Sequence, residues 1–132
     1  MTIDAIPKQS VLQEFTKLYE KMVESPTISI ADGKEIHVLK IEDIVYCTGG
    51  GNYSTVMLKD KREIVTSKKM MYFEEQLTKH DFLRIHKSHL INFAHINSVS
   101  KVDGLSISMS NGVLLPVSRN RKQELMDRIN LI

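Results

Sequence analysis

Three Asx-Gly dipeptides, Asp32-Gly33, Asp103-Gly104 and Asn111-Gly112, each follow a short run in which apolar and polar residues alternate. Asx-Gly tolerates the positive φ that two-residue hairpin turns demand, and a period of two turns one side of each strand toward a core. The spacing therefore predicts antiparallel hairpins: Thr27 to Ala31 with Glu35 to Leu39, then Asn97 to Val102 with Leu105 to Met109, followed by Val113 to Val117. Leu105, Ile107 and Met109 alternate with Ser106, Ser108 and Ser110, one face buried and the other wet. A further pair, Ile44 to Thr48 and Tyr53 to Leu58, brackets Gly49-Gly50-Gly51-Asn52, expected as a flexible loop that presents Asn52 and Tyr53, with Arg62 to Thr66 following.

Helical spacing appears in three places. Val11, Leu12, Phe15, Leu18, Tyr19 and Met22 form one apolar stripe, with Ser10 as the expected cap and Ser25-Pro26 as the stop. Ser67 precedes a short helix over Lys68 to Leu77, and Ser118 precedes another over Arg119 to Ile129. The expected fold is mainly β, an elongated antiparallel hairpin and multi-sheet domain with two short helices and an N-terminal amphipathic helix. The expected boundary separates residues 1–26, a helix and linker, from the domain at 27–132.

Several classes are set aside. A chain of 132 residues, 42% hydrophobic, can build one core. It has no apolar run of membrane-spanning length and no basic-then-apolar leader, so a cytoplasmic protein with no membrane partner is expected. The single cysteine, Cys47, rules out an internal disulfide and reads as a buried small hydrophobe. No paired carboxylates or nucleophile elbow is recognisable, so no enzyme activity and no cofactor are expected. Gly49-Gly50-Gly51 lacks the Lys-Ser/Thr of a nucleotide loop. His86, His89 and His95 have no spacing that completes a metal site, because positions three apart on a strand face opposite ways.

What remains is basic. Residues 1–57 hold five Lys/Arg against eight Asp/Glu, a net of −3, whereas residues 58–132 hold thirteen against eight, a net of +5. Within the second part, Phe82-Leu83-Arg84-Ile85-His86-Lys87-Ser88-His89-Leu90-Ile91-Asn92 interleaves core residues with hydrogen-bond donors. Both short helices open with cations, Lys68 and Lys69 in one, Arg119, Arg121 and Lys122 in the other, where the macrodipole prefers anions. Free amides and cations at a helix start become favourable when a phosphate arrives, and two such starts in one small domain point to an anionic polymer.

In order and spacing, Lys40-Ile41-Glu42-Asp43-Ile44-Val45-Tyr46, Asn52-Tyr53, Phe82 to Ser88 with Leu90-Ile91-Asn92, and Pro116-Val117-Ser118-Arg119 resemble the LytTR family of bacterial DNA-binding domains over roughly Ile28 to Ile129. The resemblance implies a transcription regulator of the two-component response-regulator kind, whose loops enter successive major grooves of duplex DNA. It implies base-reading loops at Asn52-Tyr53, at His86-Lys87, and at Ser118-Arg119 with Lys122, with Lys68, Lys69 and Arg121 on phosphates. Paired direct-repeat half-sites with two protomers per operator, and a receiver domain or sensor as partner, are further expectations. His89 stands where the family usually has an aromatic residue, and the three glycines replace a more polar loop. A competing reading is a protein-interaction module that uses the N-terminal helix and exposed strand edges.

Overall fold

In the computed structural model, which describes residues 8–23 and 25–132, the chain after Pro26 forms ten strands in three antiparallel sheets. The first hairpin, β1 (Thr27–Ala31) and β2 (Ile36–Lys40), turns at Asp32-Gly33, where Gly33 has φ +97°. β3 (Ile44–Gly50), β4 (Tyr53–Leu58), β5 (Glu63–Thr66), β6 (Phe82–His86) and β7 (His89–Asn92) form a five-stranded sheet in the order β5-β4-β3-β7-β6. β8 (Ile96–Ser100), β9 (Ser106–Met109) and β10 (Leu114–Pro116) form the third sheet, in the order β10-β9-β8. Asp103 and Gly104 both have positive φ, 54° and 97°, as a type I′ turn requires.

The five-stranded sheet is the middle layer. On one face Ile44, Val56, Leu58, Phe82 and Leu90 pack against Ile30 and Leu39 of the first hairpin and Met70, Phe73 and Leu77 of α2 (Met70–Leu77). On the other face Val45, Leu83, Ile85 and Ile91 meet Ile107, Met109 and Leu115 of the third sheet and Leu125 of α3 (Lys122–Arg128). A register shift between Ile44 and Tyr46 lets Val45 and Tyr46 join the same core. The side-chain amide of Asn92 is buried but donates to the carbonyl of Ile44 at 3.0 Å and accepts from the amide of Ala94. Cys47 is buried, and desolvation pushes its thiol up to about 12, so it packs as a small apolar residue.

Four local expectations are corrected. Gly49 and Gly50 belong to β3, paired with Ser54 and Tyr53, which leaves a tight turn at Gly51-Asn52 in place of a flexible glycine loop. The helix expected from Lys68 begins at Met70, with Lys69 as its cap residue and no side-chain capping bond, so Lys68 and Lys69 precede it. The helix expected over Arg119 to Ile129 is a 3-10 turn at Arg119–Arg121 followed by α3. The N-terminal helix, α1 (Lys8–Val23), begins before Ser10, so Ser10 is not its cap. Val11, Leu12, Phe15, Leu18 and Tyr19 of its stripe are all exposed, and the side chain of Met22 lies outside the described residues.

Candidate nucleic-acid interface

Strand direction decides where the basic residues meet. β4 pairs with β3 through Gly50 and Tyr53, and β7 pairs with β3 through Thr48 and His89, so the turns at Gly51-Asn52 and Lys87-Ser88 lie at one end of the middle sheet. The amide of Gly49 donates to the carbonyl of Ser88 at 3.0 Å and joins the two turns directly. β5 runs back toward the same end, pairing Thr66 with Ser54, and the Ser54 hydroxyl donates to the carbonyl of Lys68 at 2.6 Å. The segment after β10 arrives from the third sheet: the amide of Ser118 donates to the carbonyl of Ile85 at 2.9 Å.

All ten residues singled out in the sequence thus lie on segments gathered at this end. Asn52, Tyr53, Lys68, Lys69, Lys87 and Arg119 are exposed, while His86, Ser118, Arg121 and Lys122 are half-buried. His86, Lys87, Ser118, Asn120 and Arg121 line a cleft of about 360 Å³ between the β6–β7 turn and the 3-10 turn. The ion pairs among the described residues engage His37, Lys59, Arg62, Arg84 and Arg128 with carboxylates. None of them takes up Lys68, Lys69, Lys87, Arg119, Arg121 or Lys122, so this end keeps uncompensated positive charge. The Lys68 ammonium lies 5.2 Å from the centre of the Tyr72 ring.

His86 and His89 face each other across β6 and β7, with ring centroids 5.1 Å apart. The opposite-face expectation fails because a turn separates them, and cross-strand pairing puts both on one face. His86 Nδ1 accepts the amide of Ser88 at 3.0 Å, and His89 Nδ1 lies 3.1 Å from the hydroxyl of Thr48. His95 is held elsewhere, against the carbonyl of Glu42 and the hydroxyl of Ser110. Among the described residues, a trio with ligand atoms close enough to share a cation is Asp32, Glu35 and His37, on the first hairpin. Asp32 is already engaged there: His37 Nε2 at 2.7 Å and then the amides of Glu35 and Lys34 hold its carboxylate well below the usual range.

Burial pushes His89 below the usual imidazole value of 6.5, and the charges of His86 and Arg84 act in the same direction. The unfolded chain therefore binds this proton more readily than the folded one, and the His89 contribution makes stability fall as the pH drops below about 6.5. Melts of the free protein at pH 7.5 and 5.5 should show this loss, and His89→Asn, which keeps a polar atom facing Thr48, should shrink it. An identical pH dependence in the variant would show that His89 is not the group responsible.

Sequence reasoning missed Asn120, Arg84 and Glu74. Asn120 was accessible as the third residue of the Ser118-Arg119-Asn120 helix start. Arg84 carried no positional signal, because its role depends on Glu74 ten residues earlier on α2.

A stacked β fold with a cation-lined end formed by turns and a helix start is electrostatically suited to a polyanionic partner. The family model described as the LytTr DNA-binding domain matches residues 34–130, and the chain belongs to this family. A solved LytTr DNA-binding domain from Bacillus cereus superposes with a TM-score of 0.69 at 19% identity, covering 80% of this chain and 97% of that one, and so shares the fold. Sensory transduction protein LytT of Bacillus cereus is 31% identical over 106 residues, 78% of this chain and 42% of that protein. The heme-containing CO-sensing transcriptional regulator RcoM 2 of Paraburkholderia xenovorans is 26% identical over 98 residues, 72% of this chain and 36% of that protein. LytT of Bacillus subtilis is 23% identical over 133 residues, 93% of this chain and 55% of that protein. The chain thus spans between about a third and just over half of these relatives. No helix among the described residues is long and apolar enough to cross a membrane.

Proposed function

We propose that this chain is a sequence-specific duplex-DNA-binding regulator of transcription, which reads major grooves through Asn52-Tyr53, His86-Lys87 and Ser118-Arg119 with Lys122. The observation that carries the reading is the convergence of these turns at one end of the middle sheet, tied by the Gly49–Ser88 and Ser118–Ile85 backbone bonds and lined by cations that form no ion pair among the described residues. A guanidinium or ammonium on an exposed turn can enter a groove roughly 12 Å wide. Arg119 is the principal reader, suited to the O6 and N7 of guanine. Lys68, Lys69 and Arg121 hold phosphates and set register. Paired direct repeats with one protomer on each, and a receiver domain or sensor as the source of the signal, complete the reading. The names of the LytT and RcoM relatives, sensory transduction protein and transcriptional regulator, support it.

The test is selection of bound sequences from random duplex DNA, followed by anisotropy titrations over a salt series. The three phosphates assigned to Lys68, Lys69 and Arg121 should give a log–log salt slope of roughly −2.7 per protomer, at about −0.9 per phosphate. Arg119→Ala should remove about 1–3 kcal/mol of discrimination at one base pair, and Lys68→Ala should weaken all sequences alike. Binding without sequence preference would overturn the reading, and equal, uniform losses in both variants would overturn the division of roles.

A second reading rests on α1, whose Phe15 and Leu18 are 69% and 63% exposed. Such a stripe suits apolar docking to another protein segment, which changes little with salt, in contrast to DNA binding. Mass measurement of the free protein and of its DNA complex separates docking through α1 from assembly on DNA.

A further inference from the structure

We infer that Arg84 is a positioning residue for the His86–His89 turn, bracing two successive carbonyls of the turn from behind while Glu74 of α2 anchors its guanidinium. The inference deepens the DNA-reading role proposed above and rests on it. Arg84 Nε donates to the carbonyl of His86 at 2.9 Å, one terminal nitrogen donates to Glu74 Oε1 at 2.9 Å, and the other donates to the carbonyl of Lys87. Its side chain is only 14% exposed, held between the turn and α2.

Three features make this more than packing. The β6–β7 register shifts between Arg84 and His86, so the strand ladder is irregular just before the turn. The carbonyls that Arg84 holds belong to His86 and Lys87, the residues that would enter the groove, and their orientation follows that of the peptide planes between them. The planar fork of a guanidinium spans two carbonyls and a carboxylate at once, which the single ammonium of lysine cannot do. Arg84 also places a fixed positive charge beside His86 and His89 without presenting it at the surface. Lys68 and Lys69, assigned above to phosphates, are exposed, whereas the guanidinium of Arg84 is already engaged by two carbonyls and a carboxylate.

The experiment compares wild type, Arg84→Lys and Glu74→Ala, all as the full chain, for binding to a selected target duplex and to a scrambled duplex across the same salt series. Arg84→Lys should lose about tenfold in affinity for the target, the worth of one charge-assisted hydrogen bond, while affinity for the scrambled duplex and the salt slope stay at wild-type values. Glu74→Ala should move the same ratio in the same direction, with a smaller effect. Lys68→Ala provides the contrast, weakening both duplexes and reducing the slope. A wild-type ratio of target to scrambled affinity in both variants would overturn the positioning role, and so would a uniform loss with a reduced slope in Arg84→Lys, which would mark a direct phosphate contact. If Arg84→Lys melts far below wild type, Glu74→Ala decides, because Glu74 is 36% exposed on the surface of α2. Failure of the wild-type protein itself to prefer its target would instead overturn the DNA-reading function.

Discussion

Truncation of Phe82 to alanine is expected to destabilise the domain by about 3–5 kcal/mol, the usual cost of emptying an aromatic core site. Phe82 is fully buried at the start of β6, in the core that joins the first hairpin, the middle sheet and α2. Total stabilities of about 5–15 kcal/mol leave little margin for such a loss. Thermal melts should fall by roughly 10 °C or more, at about 4–8 °C per kcal/mol for a 60–100-residue domain and somewhat less for a longer one. Tyr53→Ala is the control. Tyr53 is 63% exposed at the cation-lined end of the middle sheet, so this change should alter stability by less than about 0.5 kcal/mol and, on the proposed function, act on binding instead. Equal melting losses in the two variants would mean that Phe82 does not anchor the core.

Gly49→Ala is expected to damage both fold and binding, although it adds one methyl group. A Cβ at Gly49 would lie 2.5 Å from the carbonyl oxygen of Tyr53 and 3.0 Å from Ser54 Cα, both backbone atoms that cannot swing aside. Relieving this contact must separate β3 from β4 or rotate the Tyr53 peptide, at a cost of about 1–3 kcal/mol as in other overpacked sites. Gly49 also donates to the carbonyl of Ser88, so the disturbance reaches the His86–His89 turn. DNA affinity should fall about tenfold or more, measured at a temperature where the variant remains folded. Gly50→Ala meets open space and should bind nearly as wild type. If Gly49→Ala binds as wild type, the contact between the two turns does not matter for recognition.

The hairpins were legible because their turns are local. A positive φ at Gly33, Gly104 and Gly112 demands residues that tolerate it, and Asx-Gly announces them within two positions. The glycine run was less legible because Gly49 answers to a neighbouring strand, where the Tyr53 carbonyl leaves no room for a side chain. His86 and His89 were placed on opposite faces by counting along a strand, and the intervening turn reversed that result. Helix starts shifted by two or three residues because Lys69 and Arg121 cap α2 and α3 without side-chain hydrogen bonds that a sequence pattern would reveal.

By itself, the sequence determined the alternating strands, the turns between them, and the cationic and hydrogen-bonding character of the segments at Asn52-Tyr53, Lys68-Lys69, His86-Lys87 and Ser118 to Lys122. Those properties follow from local backbone preference and side-chain chemistry. The tertiary structure alone decided that these segments share one end of a sheet, and that Arg84 stands behind one of them with Glu74. Both depend on the strand order β5-β4-β3-β7-β6 and on backbone bonds such as Ser118 to Ile85, which join residues thirty or more positions apart and leave no periodic trace in the chain.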